Sequence, residues 1–384
     1  MSKYIFFLFA LVALAMCHTP SAESSVSMKG AGNSVAIFKQ YCTGCHGADA
    51  NVFADRTWKH GSTKADIIKS ITDGYPDLSM PKWSVVLKPQ DINDLSDYIL
   101  AGIEKRKSFD FKDTPKSPLF TEGSIKIRLD TVAKGIKSPW GMTFLPDGDM
   151  VFTDKGGDIF RIDKDGNKTK IAGGPTVLSD GQGGLLDVEL HPKFQENKII
   201  YFTYSKAKDS AGGKWSTTAV MRAKLDGIQL SEQKDIFIAQ PYQKTRHHYG
   251  SRLEFDRNGY LYVSVGDRGQ HETNLPQLLN NDCGKIHRIM DDGRIPTDNP
   301  FFNKADAHGS IWSFGHRNPQ GISLNPTTGE LWEDEHGPRG GDEVNIPRKA
   351  KNYGWPAISY GINYDGTILT AFTKKEDMEQ PLVY

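Results

Sequence analysis

Met142-Thr143-Phe144-Leu145-Pro146-Asp147-Gly148-Asp149-Met150-Val151-Phe152-Thr153-Asp154 is two alternating apolar–polar runs joined by a Pro-Asp-Gly turn. That is the pattern of a β-hairpin with one face buried. The design returns from Leu253 to Asp267 around Asn258-Gly259, and from Ile322 to Asp334 around Pro326 to Gly329. A looser copy with a longer turn runs from Leu186 to Ser205. Between these copies lie second hairpins with turns at Asp165-Gly166, Asp226-Gly227 and Asp292-Gly293. Two hairpins per unit make a four-stranded sheet, and such sheets recurring along a chain indicate a β-propeller. An array of β-sandwiches is the alternative, but its strands would not alternate two hairpin types so regularly. The fourth unit breaks off near Tyr384. An open ring exposes unpaired edges, so a truncated copy of something larger is expected, although propellers of about four blades do close.

The N-terminal third carries a different signal. Cys42-Thr43-Gly44-Cys45-His46 is C-x-x-C-H, the attachment sequence of a c-type haem. Each thiol of Cys42 and Cys45 can form a thioether to a haem vinyl group, and His46 offers an imidazole to the iron. Met80, in Met80-Pro81, is the expected sixth ligand, because methionine opposite histidine is the usual electron-transfer ligation. A redox or zinc C-x-x-C that happens to precede a histidine is the competing reading. Ser34 to Tyr41 reads as a helix leading into the motif. Ile92, Leu95, Ile99 and Ile103 share the spacing of one helix face, which predicts a closing helix over Asp91 to Ile103. The expected organisation is a signal peptide over 1–22, a small all-α cytochrome c domain over 33–105, a charged linker over 106–122 and the propeller over 123–384.

Lys3 followed by the apolar run Tyr4 to Met16 is an export signal, too short to span a bilayer. Both Ala13-Leu14-Ala15 and Ala22 fit a cleavage site. Leu14-Ala15-Met16-Cys17 resembles a lipoprotein signal, but Met16 is large where that signal wants a small residue, which argues against a lipid on Cys17. Export places the protein in the periplasm or outside the cell, where haem of this type is attached. No later segment is apolar enough to cross a membrane. The chain has 384 residues, with 47 basic balancing 47 acidic, so there is no electrostatic case for a nucleic-acid partner. Of its four cysteines, two go to haem and Cys17 to the signal, leaving Cys283 as a buried, inert thiol.

Polar, glycine-rich loops end several of the strands. They are Asp180 to Gly184, Arg246 to Gly250, Gly266 to Gly269, Gly315 to Pro319 and Glu335 to Glu343. A histidine held by a carboxylate can accept a hydroxyl proton near neutral pH. His248 and Asp267 lie on either side of one hairpin and can return to the same end of a blade. Arg317 beside Asn318 offers a charged fork and an amide, suited to a carboxylated or quinone ligand. Backbone carbonyls at Gly337-Pro338, with Asp342 and Glu343, are hard oxygen donors of the kind calcium prefers.

From Pro139 to Tyr364 the chain resembles the soluble pyrroloquinoline quinone (PQQ) dependent aldose sugar and glucose dehydrogenases, which are six-bladed propellers. The resemblance rests on Asp180-Gly181-Gln182-Gly183-Gly184-Leu185-Leu186, His316-Arg317-Asn318-Pro319-Gln320-Gly321 and His336-Gly337-Pro338-Arg339-Gly340-Gly341-Asp342-Glu343. Asn352-Tyr353-Gly354-Trp355-Pro356 extends it. It implies an all-β six-bladed propeller, C-terminally incomplete here, behind the all-α cytochrome c domain. It implies that His248 is the general base and Asp267 its partner, and that Gln182, His247 and Arg317 line the sugar and quinone pocket. Gln182, Arg317, Asn318 and Tyr364 would contact PQQ. The carbonyls of Gly337 and Pro338 would touch a calcium ion beside the quinone, and Glu343 and Tyr353 would bind a structural one. Family members continue for another blade or two, which supply a lysine and arginines to the PQQ carboxylates. This chain stops before them, and with Gln182, His248 and Arg317 intact a fragment is expected.

The implied function is oxidation of an aldose at C1 to a lactone, with PQQ, haem c and Ca2+ as cofactors. Electrons would pass through the fused haem to a downstream acceptor such as a soluble cytochrome or a respiratory-chain component. Two rivals are a sugar-binding propeller whose haem only senses redox state or gas, and a calcium-dependent lactonase in which His248 activates water.

Overall fold

The computed structural model describes residues 31–46, 50, 60–76, 80–107, 119–210, 213–269, 273–364 and 366–384. The expected export signal with Cys17, and the side chain of Cys45, lie outside what is described. Among the described residues no helix is long and apolar enough to cross a membrane.

The N-terminal part is helical. Helix α1 (Ala31–Ile37) continues through a π-helical turn (Phe38–Cys42) into α2 (Thr43–His46), and the C-x-x-C-H motif spans the end of that turn and α2. Helix α3 (Lys64–Asp73) begins on a reciprocal cap between Thr63 and Asp66 and stops at Gly74, whose φ of 64° admits glycine most easily. Helix α4 (Pro89–Lys107) turns Ile92, Leu95, Ile99 and Ile103 inward, all at most 8 % exposed, as their spacing requires. They pack on Phe38, Ile67, Ile71 and Trp83, and half-buried Cys42 and Met80 border the same cluster. Backbone hydrogen bonds of 2.8 and 3.1 Å tie Met80 to Tyr75. The segment assigned to the linker is helical as far as Lys107 and becomes strand at Leu119. There β1 (Leu119–Glu122) pairs with β2 (Ile125–Arg128), while 108–118 lie outside the described residues.

Four antiparallel sheets follow. The first holds β3 (Pro139–Phe144), β4 (Met150–Asp154), β5 (Ile159–Ile162) and β6 (Lys168–Ile171). The second holds β7 (Leu185–Leu190), β8 (Ile199–Ser210), β9 (Gly213–Asp226) and β10 (Gln229–Ile238). The third holds β11 (Leu253–Phe255), β12 (Leu261–Val265), β13 (Lys285–Ile289) and β14 (Ile311–Phe314). The fourth has three strands, β15 (Pro319–Leu324), β16 (Leu331–Glu335) and β17 (Glu343–Asn345). Each strand pairs with its sequence neighbour, so every sheet is a meander and the fold is a β-propeller with four blades among the described residues. The resemblance implies six blades; the described residues hold four.

One expected hairpin differs. Asp292-Gly293 does turn the chain, with Gly293 N–H donating to Met290 O at 3.0 Å. Yet β13 pairs with β14, beyond a long excursion through residues 295–310. Pro296 and Pro300, within the excursion that follows the turn, have no N–H to offer a ladder.

The blades are glued by the two-residue period of their strands. On β8, Ile200 and Phe202 join Leu145, Val151 and Ile159 of the first blade, whereas Ile199 and Tyr201 join Leu253, Phe255 and Leu261 of the third. On β12, Leu261 and Val263 face the second blade and Tyr262 the fourth, against Ile322 and Leu331. Burying each such side chain stabilises the fold by about 1.5–3 kcal/mol. A buried hydroxyl repeats the connection in polar form. Thr153, Thr203 and Ser264 each accept a backbone N–H within their own blade, from Gly141, Asp187 and Arg252. Each then donates to the next blade's first strand or the loop before it, at Leu186 O, Ser251 O and Pro319 O. The two parts of the chain touch where the Arg339 guanidinium lies 5.6 Å over the ring of Tyr41, beside Cys42.

Candidate active site

The polar loops of consecutive blades are stitched together by hydrogen bonds. Gln182 Oε1 accepts the backbone N–H of His248 at 2.6 Å, Asn318 Oδ1 accepts that of Gly250 at 3.1 Å, and the Asp267 N–H donates to Arg317 O at 2.7 Å. The His248 backbone is left-handed, with φ of 50°. Its carbonyl passes so close to Gly266 that a Cβ there would lie 2.3 Å from the oxygen. Only glycine allows that approach.

His248 Nδ1 stands 2.6 Å from Asp267 Oδ1. Asp267 is fully buried, and its Oδ1 also accepts the Gly269 N–H at 2.6 Å while Oδ2 accepts the indole N–H of Trp355 at 2.8 Å. Burial works against the Asp267 charge, but His248, Arg317 and the Gly269 N–H outweigh it and hold the carboxyl down at about 2. An ionised carboxylate only accepts, so Nδ1 of His248 carries the proton and the Nε2 lone pair is the free one. Burial pulls the His248 pKa below its ordinary value, assisted by Arg317 and Arg268 and opposed by Asp267. The imidazole is therefore a neutral base at neutral pH.

Arg317 is 5 % exposed. Its Nη1 donates to His336 O at 3.0 Å and Gly337 O at 2.6 Å, its Nη2 to the Tyr364 hydroxyl at 3.3 Å, and its Nε is buried without a partner. Beneath it Glu335 accepts the backbone N–H groups of Arg317 and Asn318 and meets His316 at 3.2 Å. His248, Asp267, Gln182, Arg317, Asn318, Tyr364 and Gly337 thus form one bonded network. His247 sits beside it, its ring centroid 6.2 Å from that of His248. Asn318 is buried, with its carbonyl oxygen committed to Gly250.

Of the expected calcium residues, Gly337, Glu343 and Tyr353 line a cavity of about 10 Å³ together with Arg317, Glu335 and Trp355. That is room for about one small occupant. The Tyr353 hydroxyl is spent on Ile346 O at 2.5 Å and Arg348 N at 3.0 Å, which leaves its backbone carbonyl for an ion. Burial and then Glu335 push the Glu343 carboxyl up to about 8, and Glu333 Oε2 and Asn345 Oδ1 nearby are buried without donors. A divalent cation fits this excess of buried oxygen. Pro338 packs on Gly361 outside that cavity's lining.

Two residues had no role assigned from sequence. Trp355 lies within a recognised motif but on a distant loop, and only the fold brings it to Asp267. Arg268, with no exposed surface, sits 3.5 Å over the Tyr249 ring and donates to the carbonyls of His247 at 2.9 Å and Thr245 at 2.8 Å, so it shapes the loop that presents His248. A second cavity of about 410 Å³ lies along the inner strands, lined by Asp187, Glu189, Arg252, Glu254 and Asp334 among others. None of the expected site residues lines it, and the dyad lies outside it.

Both parts of the chain match described protein families. The family model for Glucose / Sorbosone dehydrogenase matches residues 136–384, and that for Cytochrome C oxidase, cbb3-type, subunit III matches residues 30–99. The chain is 42% identical over 245 residues to Aldose sugar dehydrogenase YliI of Escherichia coli, covering 62% of this chain and 64% of that protein. It is 28% identical over 274 residues to Quinoprotein glucose dehydrogenase B of Acinetobacter calcoaceticus, covering 65% and 57%. It therefore spans less than two thirds of the length of these relatives. Among solved structures it resembles the apo-form of soluble Aldose sugar dehydrogenase from Escherichia coli, with a TM-score of 0.62, 39% identity and coverage of 65% and 72%. The PQQ-bound Aldose Sugar Dehydrogenase from Streptomyces coelicolor matches with a TM-score of 0.55, 31% identity and coverage of 66% and 69%.

Proposed function

Because the chain belongs to the glucose/sorbosone dehydrogenase family, we propose that it oxidises aldose sugars at C1 to lactones outside the cytoplasm and passes the electrons to its own haem c. The observation that carries this reading is the buried His248–Asp267 pair, 2.6 Å apart, beside an arginine with an unpartnered Nε. That arginine fits a ligand such as PQQ, which carries both carboxylates and quinone oxygens. The small oxygen-rich cavity at Glu343 fits calcium, and the C-x-x-C-H motif with Met80 on one apolar cluster fits haem. When bound, PQQ would supply a two-electron acceptor for the C1 hydride, and a haem held by Cys42, Cys45, His46 and Met80 would supply a one-electron route onward.

The chain's own residues do the rest. His248 Nε2 accepts the proton of the anomeric hydroxyl as the C1–H bond breaks, and Asp267 stabilises the imidazolium that results. The buried charge of Arg317, little screened by water, would stabilise negative charge that grows on a bound quinone's oxygens. Gln182 positions the His248 backbone through its Oε1, and its amide N–H2 is a donor suited to a sugar oxygen. Joining the two parts in one chain raises the effective concentration of the electron acceptor, and the Tyr41–Arg339 contact supports a short route between them.

The test is to load the full chain with PQQ and calcium, add glucose and follow the haem absorbance. Haem reduction that requires sugar, PQQ and an intact His248 is expected. Sugar consumed while the haem stays oxidised would break the link between the domains, and lactone hydrolysis without PQQ would favour a hydrolase instead.

A further inference from the structure

Trp355 joins both charged parts of the site. Its indole N–H donates to Asp267 Oδ2 at 2.8 Å, and its ring lies 5.2 Å from the Arg317 guanidinium carbon. The residue is 6 % exposed and its backbone is held on both sides, the N–H by Gly315 O at 2.8 Å and the carbonyl by Gln277 Nε2 at 2.8 Å. The indole is therefore aimed by the fold and not free to follow Asp267.

We propose that Trp355 is a positioning residue of the His248–Asp267 dyad, its indole N–H pinning Oδ2 so that only Oδ1 faces the imidazole. The inference rests on the reading of His248 as the base. A carboxylate buried this deeply has two ways to lose its function. Rotation about its Cβ–Cγ bond would misalign Oδ1, and an unpartnered Oδ2 would concentrate negative charge on the imidazole. The Trp355 hydrogen bond opposes both, because it occupies Oδ2 and disperses part of the charge. The other groups facing the pair are Arg317, Arg268, His247 and the buried thiol of Cys283. Arg317 lies over the same indole ring, so the test must keep that ring while removing its N–H.

The direction of the effect follows. Without the indole donor the negative charge of Asp267 falls more fully on His248, which favours the imidazolium and raises the histidine's pKa. The sugar-binding surface is unchanged, so kcat moves more than KM.

Two replacements separate the hydrogen bond from the ring. Trp355→Phe removes the N–H and part of the volume, and substitution by the benzothiophene analogue of tryptophan removes the N–H alone. Histidine-labelled full-length protein without PQQ is titrated by NMR, the His248 signal being identified by its loss in His248→Gln. The PQQ-loaded forms are assayed with a soluble dye across pH. The His248 midpoint and the acid limb of kcat/KM should both rise by roughly half a unit to one unit in the benzothiophene protein, with KM changed less than about threefold. An unmoved midpoint in the benzothiophene protein overturns the proposal, because its ring still fills the site. A parent that oxidises no sugar would instead remove the dehydrogenase reading, and the NMR titration would still decide whether Trp355 tunes the pair.

Discussion

His248 and Asp267 meet at 2.6 Å although the β11–β12 hairpin separates them in the chain, and Asp267 is buried. The carboxylate thus fixes the imidazole tautomer with Nδ1 protonated. Asp267→Asn keeps the size but can present its amide donor to Nδ1, reversing the tautomer and hiding the basic lone pair. Sugar-dependent dye reduction should fall on the order of 10²–10⁴-fold with the fold retained. Parental kcat/KM in a folded Asp267→Asn protein would contradict the role.

The pH profile follows from burial. The base must be neutral to act, so activity is lost as pH falls through the His248 pKa. Burial and the nearby arginines place that pKa below the ordinary imidazole value. The acid limb of kcat/KM, measured with a dye acceptor, should therefore lie below about 6.5. A limb above about 7.5 would mean that His248 is charged in the resting protein.

Arg317 presents a planar fork to His336 O, Gly337 O and Tyr364, with Nε still unpartnered. Lysine keeps the charge and loses the fork. Arg317→Lys should weaken PQQ binding by about 10–100-fold, the equivalent of one charge-assisted hydrogen bond. Titration calorimetry of PQQ into both proteins measures this, and equal affinities would show that Arg317 is only structural.

Calcium should stabilise the protein through Glu343 and the cavity it shares with Tyr353 and Arg317. At a hundredfold excess over Kd a ligand of the native state alone adds about 2.7 kcal/mol, visible as a Tm increase of several degrees. Glu343→Gln should abolish most of that increase while leaving the calcium-free Tm unchanged or higher, because the buried carboxyl, pushed up to about 8, no longer has to take up a proton on folding. A calcium-induced increase of the same size in Glu343→Gln would place the ion elsewhere.

Much of this was legible from residues alone, and the reasons are local. Hairpins such as Met142–Asp154 announce themselves through period-two alternation and turn residues, and the helix face of Ile92, Leu95, Ile99 and Ile103 through its spacing. Local pattern failed at Asp292-Gly293, where a true turn leads into an irregular excursion instead of the next strand. It also could not supply the partners of a buried charge. Asp267 was readable as a partner of His248, yet its second oxygen is served by Trp355, distant in sequence and brought there by blade packing. Arg268 reads as an ordinary loop arginine until its full burial against Tyr249 is seen.

The most direct measurement is stopped-flow spectroscopy of the full chain loaded with PQQ and calcium, comparing parent with His248→Ala after mixing with glucose. In the parent the haem should become reduced in a sugar-dependent phase, and in His248→Ala that phase should slow by on the order of 10²–10⁴-fold. Haem reduction at the parental rate without the imidazole would contradict the assignment of His248 as the base.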